Sequence, residues 1–503
     1  MHILDLPFEI LMLVFEWLDS WDLLRCAVVC GRWKDLALDA KWRGNLIDWV
    51  NLLQLLGPVE RCKEDEYRWV TKPSINDAIM STGWQRLDVL RKKITRLRVG
   101  IQLVSEDLEY IKTLQHATDS PYDAFFPNLR QLNVWFRGRS AYQYGFLAGE
   151  SLQQFNLNWL FRGLGQTTTD WAGALESVAL RSPMVKHIKA FESDSPFIDY
   201  GKFSRLRTLD HGGDLGVLSW IQICAGCPLL EEVKISQSQV RPFDETGIVS
   251  GPDTQELPAL RNLDIRHGLI TSYILRTTNM PQLRELDVGM YEFDALEVHY
   301  LLSRVRRRSP LLETLTLGGN SLEWDRFSSF SGLRDLTLFG QLNSCTTEDV
   351  EHIIEGLPNL ARLGIASNVF CDRRKPPFTT AILETLAMRC QLDKLRIPLN
   401  ALETSWESET PTPTAKFDRL IKLRLDHLHI KVNALVPFAK YLAQMCPTVD
   451  RFKPTLIHPH EAEPELEPSS MLTQEEWENG RVMEDVFLDA QMKYRSSGGS
   501  DRS

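Results

Sequence analysis

The sequence predicts an α/β chain: a short three-helix head, then a solenoid of strand-plus-helix units that curves into an arc. Three observations predict it. The phrase apolar-x-x-apolar-x-apolar recurs fourteen times between Ile94 and Val449, at steps of 21 to 35 residues. Eight copies follow directly on a proline: Pro127, Pro183, Pro228, Pro258, Pro281, Pro310, Pro358 and Pro447. The first 44 residues carry more apolar side chains than three short helices can bury.

In the head, Pro7 suits a first helical position, where its missing N–H costs nothing. Ile10, Leu11, Val14, Phe15 and Leu18 then recur at helical spacing. Asp19-Ser20 breaks that helix and caps the next, which carries Leu23, Leu24, Ala27 and Val28. Val29-Cys30-Gly31-Arg32-Trp33 turns the chain into a third helix with Trp33, Leu36, Ala37 and Trp42. The apolar surplus, Leu6, Ile10 and Phe15 included, predicts a partner surface.

In the body, alternation at the end of each phrase is a strand period with apolar side chains facing a core. Regular copies are Leu129/Leu132/Val134, Leu230/Val233/Ile235, Leu260/Leu263/Ile265, Leu283/Leu286/Val288, Leu312/Leu315/Leu317, Leu333/Leu336/Leu338, Leu360/Leu363/Ile365, Leu392/Leu395/Ile397 and Leu420/Leu423/Leu425. A further copy, Leu206/Leu209, is broken at His211; Ile94, Leu152, Val185 and Val449 open degenerate ones. Helical stretches fall between them at 220–225, 298–307, 350–355, 381–389 and 435–445. A proline before the phrase stops the helix and sets up the extended strand. No unit buries its apolar side alone, so neighbours must stack. Loops are expected at 137–150, 237–256, 367–378 and 399–416, the last holding Thr410-Pro411-Thr412-Pro413, a surface loop or a proline-directed phosphorylation site.

Charge is unevenly spread along the chain. The formal net charge is −10, yet residues 455–503 hold eleven Asp/Glu against four Lys/Arg. The body is close to neutral, with no global basic field, so no nucleic-acid partner is expected. The tail from 454 reads as acidic and largely disordered, with a helix over 474–494 expected to cover the open end of the array through Trp477, Met483, Val486 and Phe487. Nine cysteines without a framework suit a reducing compartment. The start lacks the pattern of a signal peptide and no long apolar window occurs, so the expectation is a chain of the cytoplasm or nucleus with no membrane partner.

The head resembles an F-box. The matching residues are Leu6-Pro7-x-Glu9-Ile10-Leu11, Val14-Phe15-x-x-Leu18 and Asp22-Leu23-Leu24-x-x-Ala27-x-Val29-Cys30-x-x-Trp33, ending near Trp42. Gly31 departs from the basic or polar residue the family often has there. The body resembles a leucine-rich repeat solenoid of the irregular, helix-containing type. The organisation expected is an F-box over 1–44, a helical connecting segment over 45–90, repeats over 91–453 and the tail.

That resemblance implies the substrate receptor of a Skp–cullin–F-box ubiquitin ligase, docked on the Skp adaptor and through it on a cullin. Carried over by position, Leu6, Pro7, Ile10, Leu11, Val14, Phe15, Leu18, Leu23, Leu24, Val28, Val29 and Trp33 would contact the adaptor. Burial in the head's own core is the alternative for each: it weighs equally for Trp33 and Val28, and contact is favoured for Pro7, Ile10 and Phe15. Such a receptor needs no cofactor or metal and makes no bonds itself; it raises the effective concentration of a substrate lysine near the charged ubiquitin carrier. The alternative is a repeat scaffold that binds a protein without ubiquitin transfer.

The third and fifth positions of each phrase point away from the core. They change from Asp264, Glu285, Asp287 and Asp335 to Arg362, Lys394, Arg396, Lys422 and Arg424. This basic end is the candidate site for an acidic or phosphorylated substrate segment; the alternatives are a solvated face of ordinary charge and a seat for the chain's own acidic tail. Enzyme signals are thin. Gly201-Lys202 lacks the first glycine of a P-loop. Cys224-Ala225-Gly226-Cys227 is a lone pair without further zinc ligands. Asp210-His211-Gly212-Gly213-Asp214, the one hint of a hydrolase, reads better as a turn after a strand.

Overall fold

The computed structural model describes residues 6–61, 67–69, 72–100, 105–118, 124–136, 145–159, 169–193, 198–213, 215–236, 255–266, 268–290, 293–319, 327, 329–340, 345–367, 377–402, 406, 411–457 and 474–498. It divides into two compact units, Met1–Leu260 and Arg261–Ser503. The division falls inside the expected repeat stretch.

The first unit opens with α1 (Phe8–Glu16), α2 (Ser20–Ala27) and α3 (Gly31–Gly44). Asp19 caps α2 by accepting hydrogen bonds from the Trp21 and Asp22 amides, both at 2.8 Å. Seven parallel strands follow, paired in chain order: β1 (Ile47–Asp48), β2 (Arg96–Val99), β3 (Gln131–Phe136), β4 (Gln154–Trp159), β5 (His187–Ser193), β6 (Thr208–Gly213) and β7 (Glu232–Ser236). The second unit holds eight more: β8 (Asn262–Ile265), β9 (Glu285–Met290), β10 (Thr314–Gly319), β11 (Asp335–Gly340), β12 (Arg362–Ser367), β13 (Lys394–Asn400), β14 (Lys422–His429) and β15 (Arg451–Ile457).

Each strand after β1 comes from one copy of the phrase, and like positions pair: Leu286 with Leu315, Leu336 with Leu363, Leu395 with Leu423. The apolar positions form ladders such as Leu392, Leu395 and Ile397, exposed by 2% or less. The expected strand-plus-helix array of a leucine-rich repeat protein is therefore present, with α-helices where five were expected and three more at Ser105–Ala117, Thr169–Arg181 and Gly268–Thr277.

The prolines do more than end helices. Each of the eight sits second in a four-residue turn that closes on the first apolar residue of the phrase, as in Leu230 N to Cys227 O at 3.2 Å around Pro228. A fixed φ suits that position. The next two amides then reach one carbonyl of the preceding unit: Asp450 N and Arg451 N both bond to Ile421 O. The same pair of bonds recurs at the entries of β3 to β7 and of β9 to β15 and locks the chain direction there.

Three features differ from expectation. The connecting segment 45–90 contains β1, whose Ile47 pairs with Leu97, and a hairpin Val59–Arg61/Tyr67–Trp69 besides its helices. Two-residue β1 is too short to show a period. Asp210 and His211 lie in strand β6 and not in a turn, because His211 takes the third apolar place. It is fully buried, with Nδ1 2.9 Å from the Tyr200 hydroxyl. The C-terminal helix runs from Gln474 to Gly498. It packs on the helix Leu435–Met445 and on β15, with Met483 and Phe487 buried and the Phe487 ring 4.4 Å from that of Phe452, tilted by 32°. Gln491 donates from Nε2 to the Cys446 and Val449 carbonyls, both at 2.9 Å. Its expected cap at Thr473, the Trp477 side chain, the acidic run 461–467 and most of the expected loops lie outside the described residues.

Candidate protein-binding surfaces

The head builds a small core from Leu11, Phe15, Leu23, Leu36, Ala37 and Ala40, with Leu6, Leu18 and Trp33 half-buried around it. Phe15 meets Trp33 edge to face at 5.6 Å, and Arg32 donates to the Leu6 carbonyl at 3.0 Å. Of the twelve residues expected at the adaptor, Leu11, Phe15 and Leu23 thus lie in the head's own core. Phe15, counted among the apolar surplus, is used internally because it stacks one turn from Leu11 on the face toward α3. Pro7, Ile10, Val14, Leu24, Val28 and Val29 are exposed.

Four more exposed apolar residues went unread in the sequence: Phe8, Leu13, Trp17 and Trp21. Trp17 is 89% exposed, Trp21 74% and Val28 84%. The signal for them was present, because α1 is apolar everywhere but at Glu9 and Glu16, which a three-helix module cannot absorb.

In the second unit, two outward rows run across the strands. The first is Asn262, Glu285, Thr314, Asp335, Arg362, Lys394, Lys422 and Arg451, each beside the next. The second is Asp264, Asp287, Thr316, Thr337, Gly364, Arg396, Arg424 and Lys453. All five cations expected at the basic end are therefore neighbours, and the rows add Arg451 and Lys453. These two were missed because their phrase is degenerate, with Pro454 where the last apolar residue belongs.

Asp426, on the same side of β14, is buried, its carboxylate only 5% exposed. It accepts from Arg396 Nε at 2.5 Å and Arg424 Nε at 2.6 Å. Arg396 also lies over the Phe339 ring at 5.3 Å. Arg362 pairs with Asp335 at 3.3 Å. Among the described residues no ion-pair partner occurs for Lys394, Lys422, Arg451 or Lys453. The charge of Arg451, then Lys394, holds the Lys422 ammonium below its ordinary value.

The first unit has outward rows of another kind. Asn156 donates to Asn133 at 2.6 Å, Lys189 pairs with Asp210 at 2.9 Å, and His187 lies 3.1 Å from the Thr208 hydroxyl. Asn156, His187, Lys189, Thr208 and Asp210 line a groove of about 310 Å³ with Gln154, Glu232 and Lys234.

Cys227 of the C-x-x-C pair is buried, and burial pushes its thiol up to about 12. Its Sγ lies 3.2 Å from the Tyr200 carbonyl, a packed position rather than a ligand's. Among the described residues no three His, Cys, Asp or Glu side chains converge as a metal site, and no helix is long and apolar enough to cross a membrane.

Residues 3–45 match the F-box-like family, and the chain carries an F-box-like domain at its N-terminus. No curated protein matches the chain in sequence. Similar solved structures include an internalin from Listeria monocytogenes, 15% identical, covering 65% of this chain and 81% of that one with a TM-score of 0.36. The Rad7 and Elc1 complex of yeast is 13% identical, covering 73% and 88% with a TM-score of 0.36. The leucine-rich repeat-containing protein LegL7 from Legionella pneumophila is 11% identical, covering 70% and 94% with a TM-score of 0.32.

Proposed function

We propose that the chain is a non-catalytic substrate receptor of a Skp–cullin–F-box ubiquitin ligase. The head docks on the Skp adaptor, and through it on a cullin, while the outward rows of the repeats hold a protein substrate. One observation carries this reading: an F-box-like head that leaves Trp17, Trp21, Val28 and Val29 in water after completing its own core. Exposed apolar surface of that density in so small a module supports a protein partner. The basic end of the second unit supports an anionic segment of that substrate.

Co-purification of the full chain with adaptor and cullin tests the proposal. Both are expected to be retained. Retention of the adaptor without the cullin replaces the ligase by a repeat scaffold that carries its substrate without ubiquitin transfer, and loss of both rejects the docking role of the head.

A further inference from the structure

The two cationic rows converge on three adjacent strands. Lys394 and Arg396 stand on β13, Lys422 and Arg424 on β14, and Arg451 and Lys453 on β15. Neighbouring strands lie about 4.8 Å apart and alternate residues about 7 Å, so the six cover a patch of roughly 10 by 7 Å. Among the described residues one carboxylate, Asp426, pairs with any of the six, and it takes Arg396 and Arg424. It engages the Nε of both arginines, which fixes the two planes and leaves their terminal nitrogens without a partner among the described residues.

We propose that this patch is a clamp for a phosphorylated residue of a substrate peptide, and that Asp426 is the positioning residue that holds Arg396 and Arg424 in place. The inference rests on the reading of the repeat face as the substrate surface.

Three features select this occupant. First, among the described residues these six cations are paired with a single carboxylate, an excess that one more side-chain carboxylate would not balance. A phosphate carries nearly two charges and three acceptor oxygens, so it takes bonds from several strands at once. Second, guanidinium groups already held by a buried carboxylate lose less freedom on binding, and their forks match phosphate oxygens. Third, the rows reverse sign: Asp335, Glu285, Asp287 and Asp264 stand on β11, β9 and β8. A polyanion longer than about four strands would run onto those carboxylates, which disfavours nucleic acid and suits a short phosphorylated segment.

The test is fluorescence anisotropy on the full chain. The probe is a labelled twelve-residue Gly/Ser peptide with one central phosphothreonine and two flanking glutamates. Its comparators are the unphosphorylated peptide, the version with glutamate at the central position, and a twelve-residue oligouridine.

The phosphorylated peptide is expected to bind at least about tenfold more tightly than either twin and than oligouridine. Lys422→Glu with Arg451→Glu, both at the surface, is expected to remove that preference. Asp426→Asn adds net positive charge, which by itself would tighten anion binding. As the positioning residue, Asp426 requires the opposite, a loss of about tenfold with an unchanged melting curve.

Equal affinity for the three peptides, tighter binding of oligouridine, or a tighter Asp426→Asn variant would overturn the clamp or the role of Asp426 in it. Adaptor binding measured on the same preparation separates the two readings. A missing phosphate preference with the adaptor still bound rejects the clamp alone, and a missing adaptor rejects the receptor.

Discussion

Helix α1 has seven apolar residues in nine and buries two of them, Leu11 and Phe15. Strand β13, KLRIPLN, buries Leu395, Ile397 and Leu399 while turning Lys394 and Arg396 outward. The two regions handle apolar surface in opposite ways. A repeat strand has a neighbour on each side, so its apolar positions stack into a continuous core, and only its polar positions are left to meet a partner. The head has three helices and one small core, so its surplus apolar residues are what it offers. The same chain thus presents an oily surface at one end of its sequence and a charged one near the other. Two partners of different chemistry follow from that difference.

The contrast can be broken in order of effect. Phe15→Ala removes the central side chain of the head and is expected to cost about 3–5 kcal/mol, comparable to the whole stability of so small a module. Amides of residues 8–44 should then exchange rapidly while those of the repeat strands stay protected. Uniform loss of protection along the chain would show that the head has no core of its own.

A smaller change sharpens the other side. Thr346 and Asp349 form a reciprocal cap at the start of the helix Thr347–Gly356, with amide-to-side-chain bonds of 3.2 and 2.8 Å. Thr346→Ala is expected to lower stability by about 1 kcal/mol, read as a shifted denaturant midpoint with adaptor binding intact. A shift several times larger would mean that the repeats depend on this cap more than on their stacked ladders.

Much of this was legible in the sequence because the phrase is a direct physical imprint. Leu392, Leu395 and Ile397 face the core at strand spacing, so Lys394 and Arg396 had to face outward. Neighbouring copies in register then make rows of like positions, and the basic end follows. Asp426 was not legible: a carboxylate at the third outward position of β14, after Lys422 and Arg424, looks ordinary until Arg396, thirty residues earlier, is seen folded onto it. Arg451 and Lys453 hid behind a phrase whose last apolar place is a proline. His211 looked like a break in the pattern, but the Tyr200 hydroxyl supplies the partner that lets an imidazole take an apolar position. In the head, periodicity picked out a stripe of α1 of which Leu11 and Phe15 are buried while Ile10 and Val14 are exposed, and it passed over Phe8, Leu13 and Trp17, which lie off it.

The most direct measurement is calorimetric titration of the Skp adaptor into the full chain and into an Ile10→Lys, Val28→Lys double variant. Both residues are exposed, so the variant should melt within about 0.5 kcal/mol of the parent. Two lost apolar anchors are expected to weaken adaptor binding by at least about thirtyfold, some 2 kcal/mol. Unchanged affinity in a well-folded double variant would contradict the account that the head's exposed apolar surface is the adaptor's docking site.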